Sequence, residues 1–163
     1  VSWYEAIHFA NRLSILSGLQ SCYDIQMDGT VSVINTCQGW RLPTKSEWEY
    51  LAYGNEKHIF AGSTEPRDVA WYFSHEDLSS NRTHPVCLKK QNGFNLCDMS
   101  GNVCEWIWDT YNTDQAPTRD SMMQCKGGAY PYSQWTVRVQ YNYRMFPQAK
   151  RKYIGFRLIR ETG

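Results

Sequence analysis

No apolar stretch of this sequence approaches the roughly 20 residues that a membrane-spanning helix needs. Nor does a basic segment followed by an apolar one open it, so these residues read as neither a span nor a secretory leader. Neither sign of charge is in excess: 17 Lys and Arg stand against 16 Asp and Glu, which leaves no general field to draw the protein to nucleic acid or an anionic membrane. Partners must be sought in local patches. No two of the six cysteines have the C-x-x-C spacing of a zinc or redox site. The four histidines, His8, His58, His75 and His84, form no pair at a recognisable ligand spacing and read as surface residues. His75-Glu76-Asp77 resembles the start of a metalloprotease helix, but Ser79 stands where the second histidine belongs. Gly127-Gly128 lacks the spacing and the lysine of a phosphate loop. Internal repeats and low-complexity tracts are absent.

What is present is aromatic. Aromatic residues make up 15% of the 163, with 7 Trp and 11 Tyr, which suits one loop-rich domain over residues 1–163 whose rings fill space that regular elements leave open. Ser2-x-x-Glu5 is a capping box ahead of Trp3, Ala6, Ile7, Ala10 and Leu13 at helical spacing, predicting a helix to about Leu16 that stops near Gly18. Tyr23 to Gln26 and Val31 to Ile34 are short strand-like runs around Asp28-Gly29, a hairpin signal. Cys22 and Cys37 flank that hairpin and are the best disulfide candidates. A second capping box, Thr44-x-x-Glu47, starts a second short helix with Trp48, Leu51 and Ala52 on one face and Gly54 as its stop. Residues 55–95 show no sustained period and read as a long ordered loop pinned by aromatics such as Trp71, Tyr72 and Phe73. Val137, Val139, Tyr141 and Tyr143 alternate with polar residues, the period of a strand, and Phe156 to Leu158 suits a last one.

Four segments in fixed order narrow the reading further. They are Gly39 to Tyr50 (GWRLPTKSEWEY), Asp98 to Trp106 (DMSGNVCEW), Lys126 to Tyr130 (KGGAY) and Ile154 to Leu158 (IGFRL). Together they resemble the formylglycine-generating enzyme (sulfatase-modifying factor) family, from Val1 to Arg160. The resemblance implies an α+β, C-type-lectin-like fold with two short helices, short antiparallel strands and much irregular structure. Full-length relatives carry a further strand-forming segment upstream, so the chain is expected to be part of something longer. The resemblance also implies a structural calcium ion held by the carboxylates of Asp98 and Glu105 and the carbonyls of Gly101 and Val103, hard oxygen donors of the kind calcium selects. The competing reading makes Asp98 a turn cap and Glu105 a solvated acid. Cys97 and Cys104 stand where the family commonly has aromatic residues and read as buried thiols, while Cys125 beside the Gly-Gly turn reads as a packed core residue.

Enzymes of this family hold copper(I) between two thiolates placed after the Gly-Gly turn. Here the last cysteine is Cys125, ahead of that turn, and Tyr132 and Val137 stand near the thiol positions, so no copper is expected. A second branch of the family uses histidine-ligated iron, for which this chain shows no ligand cluster. The distinctive region is the run after Gly128, where Tyr130, Tyr132, Trp135, Tyr143, Arg144 and Phe146 are the candidate binding residues, since Tyr, Trp and Arg dominate binding hot spots. Tyr132, Trp135 and Phe146 lie nearest loops and are the stronger contact candidates; Tyr141 and Tyr143 read equally well as core or surface. Lys150-Arg151-Lys152 reads as solvated surface, and nucleic acid is a poor third choice of partner.

The expectation is a non-catalytic module that binds a protein or other surface ligand. The resemblance extends to phage and bacterial proteins whose C-terminal segment is varied by diversity-generating retroelements. The alternatives are an oxidase or other modifying enzyme with a rearranged or incomplete site, and a regulatory domain attached to a signalling enzyme.

Overall fold

Ser2 accepts a hydrogen bond from the Glu5 amide and Glu5 accepts one from the Ser2 amide, and this closed box starts helix α1, Trp3–Leu16. Trp3, Ala6, Ile7 and Ala10 face inward from it. The computed structural model describes residues 1–76, 81–110 and 116–161. Asp77 and Ser79, and the last two residues of the expected domain, lie outside that description. Strands β1 (Tyr23–Ile25) and β2 (Val31–Val33) pair antiparallel about the Asp28-Gly29 turn. Helix α2 (Lys45–Tyr53) begins on the Thr44–Glu47 box and ends at Gly54 in the left-handed region. A one-turn helix, α3 (Pro66–Val69), interrupts the long loop.

The sheet has the order β5-β4-β3-β6, formed by Cys104–Thr110 (β3), Met123–Lys126 (β4), Tyr143–Met145 (β5) and Ile154–Phe156 (β6). β4 runs antiparallel to both neighbours, and β6 runs parallel to β3. The central strand β3 is covered on both faces. Trp106 belongs to a core shared with Trp3, Ile7, Tyr23 and Leu42, while Ile107 belongs to another with Trp48, Ala52, Ala61, Met99 and Val139. Side chains alternate along a strand, so successive residues sort α1 and α2 to opposite sides of the sheet.

Three expectations are corrected. Cys97 and Cys104 are not thiols: Cys87 joins Cys97, Cys104 joins Cys125, and Cys22 joins Cys37 as expected, so all six cysteines are paired. Cys125 is buried, but as half of a bridge between β3 and β4. The alternation over residues 137–144 does not mark one strand, since only Tyr143–Met145 is extended and paired. Residues 131–142 run through successive turns instead, closed by the amides of Tyr132, Thr136 and Tyr141 on the carbonyls of Ala129, Ser133 and Arg138. Val137 packs into a third cluster with Phe60, Val69 and Tyr72, while Val139 joins the α2 core. Tyr141 stays 39% exposed and does not follow the valines inward. The period of two came from two separate anchors of a turn-rich segment. The final strand is also displaced: it ends at Phe156, and beyond it Ile159 makes only an isolated bridge to Arg41.

Candidate binding site

The Gly-Gly turn launches the C-terminal segment and fixes it to the Asp98 loop. The Gly101 amide donates to the Gly127 carbonyl at 2.7 Å, and the Tyr130 amide to Asn102 at 3.1 Å. Gly128 has φ +67°, and a Cβ there would come within 2.3 Å of the Thr136 carbonyl oxygen, so the tight return of the segment requires glycine.

Three of the aromatic residues named above meet. Tyr132 is half-buried, with ring centroids 5.0 Å from Tyr143 and 5.1 Å from Tyr153, and Tyr141 lies 6.0 Å from Tyr143. Burial raises the pKa of the Tyr132 and Tyr153 phenols, which keeps both neutral donors. Trp135 stands apart, 57% exposed, with the Arg138 guanidinium 3.9 Å from its ring centre. Phe146 is 56% exposed beyond the end of β5. Among the described residues no ring contact links Trp135 or Phe146 to the tyrosine cluster. Tyr130 is half-buried, and Arg144 is exposed opposite Gln124 in the register of β4 and β5. The candidates therefore form a tyrosine patch, a Trp-Arg stack and an outlying Phe. Tyr153, an aromatic of the same run that is not among the candidates, joins the patch through its ring contact with Tyr132, which links two separate segments.

The Asp98 loop carries three positive φ angles, at Asp98, Gly101 and Asn102, which fold its backbone inward. Its two acids are in different situations. Glu105 is buried and accepts from Trp48 Nε1 at 2.8 Å and from Arg157 Nε and Nη2, both at 2.6 Å. Burial disfavours the Arg157 cation, and the charges of Glu105 and Asp98 outweigh it, raising the Arg157 pKa. Asp98 is buried as well. Its Oδ2 accepts from the Cys87 amide at 2.8 Å, but Oδ1 has no hydrogen-bond partner. A buried carboxylate oxygen without a donor fits a cation ligand. Glu105, already held in a bidentate fork, has only its remaining lone pairs to offer. Among the described residues no three His, Cys, Asp or Glu side chains gather, so any metal here would depend on carbonyls such as those of Gly101 and Val103. The role of Arg157 was foreshadowed only by its place in the closing Ile-Gly-Phe-Arg segment.

Residues 1–162 match the sulfatase-modifying factor enzyme 1-like domain (FGE-sulfatase) over almost the whole chain. This chain belongs to that family. Similarity within and around the FGE-sulfatase family includes a chaperone protein LppX of Paenibacillus barcinonensis, 31% identical over 86% of this chain and 61% of that protein. Among solved structures, Treponema denticola variable protein 1 superposes with a TM-score of 0.86 at 30% identity, over 97% of this chain and 68% of that one. CarF superposes at 0.87 and 30% identity over 100% and 66%. The chain thus spans about three fifths of that curated relative and two thirds of these structures. The fold is the C-type-lectin-like one of FGE-sulfatase domains, as its mixed α+β sheet and irregular loops imply.

Proposed function

We propose that this domain is a non-catalytic binding module that takes a protein or other surface ligand through its C-terminal aromatic region, as a variable protein of a diversity-generating retroelement would. The observation that carries the reading is the 0.86 superposition on Treponema denticola variable protein 1 over 97% of the chain. The pairing of all six cysteines supports it, because the two-thiolate copper site of the enzymes has no free sulfur to draw on. Exposed Trp135 with its stacked Arg138, and the tyrosine patch, offer rigid contact area at small entropic cost. Selection of a displayed protein library on the immobilised domain tests this. Trp135→Ala should leave the domain folded and weaken selected binders by about 2 kcal/mol. Binders indifferent to Trp135→Ala, Tyr141→Ala and Arg144→Ala would remove the aromatic region as the ligand surface. Formylglycine formation on a cysteine peptide with copper(I) and oxygen, above a no-protein control, would instead support the enzymatic alternative.

We further infer a structural calcium ion at the Asp98 loop, held by Asp98 and the Gly101 and Val103 carbonyls with Glu105 at its edge. The unpartnered Asp98 Oδ1 favours it. The ion would supply only charge compensation and loop rigidity. Calcium binding to the native state should raise the melting temperature relative to chelator, and Asp98→Asn should abolish the difference. Identical melting curves in calcium and in chelator would rule the ion out.

A further inference from the structure

Beside the aromatic region lies a cleft of about 640 Å³ that the reading above does not use. The end of α2 supplies Tyr50 and Tyr53, the following loop supplies Lys57 and Ile59, and the turn-rich segment supplies Arg138 and Gln140. The Val139 amide donates to the Ile59 carbonyl at 3.0 Å, which ties the loop to the turn-rich segment. One wall is apolar and open, with Tyr50 65% and Ile59 52% exposed. The cleft also carries two cations, Lys57 and Arg138. Among the described residues neither Lys57 nor Arg138 is in an ion pair, and Arg138 Nε is buried with no acceptor. Glu56 is the one acid of the lining. A Cβ on Gly93 would lie 3.3 Å from its carboxyl carbon, so that carboxylate packs against the Gly93 side, and its Oε2 is buried with no hydrogen-bond partner.

We propose that this cleft binds an acidic, aromatic-bearing peptide segment of a partner protein. An apolar side chain would lie against Tyr50 and Ile59, and a carboxylate would take Arg138, the fork that matches its geometry, with Lys57 at the rim. The openness of the walls favours a segment presented by a larger partner, because small-molecule sites enclose most of their ligand. The cleft is continuous with the proposed ligand surface through Arg138, whose other side carries Trp135. The inference rests on the reading of the domain as a binding module and extends its surface onto α2.

Three labelled peptides of equal length are the probes: alternating Glu and Phe, alternating Lys and Phe, and alternating Glu and Ala. Fluorescence polarisation at low and high salt gives affinity, amide chemical shifts give the location, and melting curves confirm that each variant is folded. The Glu-Phe peptide should bind most tightly, weaken with salt, and shift the amides of Tyr50, Lys57, Ile59 and Gln140. Tyr50→Ala, an exposed helix position, and Arg138→Gln should each weaken it about tenfold or more. Binding of none of the three, or equal binding of the Lys-Phe peptide, overturns the proposal. So does binding that ignores Tyr50→Ala and shifts only residues 141–146, a result that leaves the aromatic surface standing. Loss of the aromatic surface is read separately, from library binders that ignore Trp135→Ala, Tyr141→Ala and Arg144→Ala.

Discussion

Single carboxylates in this protein do unlike work according to what donates to them. Glu47 closes the α2 capping box and also takes a fork from Arg41, with Nη2 at 2.6 Å and Nη1 at 2.8 Å. The Arg41 hydrogen bonds, opposed by burial and aided by Thr44, hold its pKa down at about 2. Because the folded value lies below the ordinary 4.5, its stabilisation is complete above pH 4.5 and is lost as pH falls toward 2. Partial exposure and solvent screening keep the amount small. Glu47→Gln should therefore lower the melting temperature at pH 7 and have much less effect near pH 2. An equal deficit at both values would show that the loss is steric rather than ionic.

At the scale of elements, α2 is locked to the sheet by polar groups as well as by Trp48 and Ala52. Glu105 and Lys126 are register partners across β3 and β4, yet each pairs elsewhere, Glu105 with Arg157 and Lys126 with Glu49 of α2. Lys126 is fully buried, with Nζ 2.7 Å from Glu49 and 2.8 Å from Asn142. Burial lowers its pKa, and the Glu49 hydrogen bond opposes that fall. The same ammonium thus fastens α2 to the turn that precedes β5. Lys126→Ala, which opens a cavity and unpairs Glu49, should cost about 3 kcal/mol, whereas Lys126→Met, which keeps the stem volume, should cost much less. Urea midpoints of the two variants measure this, and an unchanged midpoint for Lys126→Ala would refute the lock.

Over the whole molecule, three disulfides divide the work of restraint. One closes the hairpin, one the loop of residues 87–97 next to Asp98, and one joins β3 to β4 inside the core. Such bonds persist in oxidising surroundings, and each commonly contributes about 2–4 kcal/mol. The oxidised protein should therefore melt well above the protein treated with reductant and alkylated, with the loss of Cys104–Cys125 the most damaging because both sulfurs are buried in the main core. Equal melting temperatures before and after reduction would mean that the bridges add nothing to the packed core. No helix among the described residues is long and apolar enough to cross a membrane.

Local chemistry by itself determined helices α1 and α2 and the hairpin: capping boxes, the Gly54 stop and the Asp28-Gly29 turn act within a few residues and needed no partner. The four ordered segments likewise marked the family, because they hold the tight turns and buried pairs on which the fold depends. What only the tertiary structure decided depends on residues far apart in the chain. The Cys87–Cys97 and Cys104–Cys125 pairings follow from loop and strand placement, and the fork of Arg157 on Glu105 spans 52 positions. The polar-apolar alternation at residues 137–144 was ambiguous for the same reason. An alternating pattern records which residues are buried and not what buries them, and here Val137 and Val139 enter different cores while Tyr141 remains at the surface.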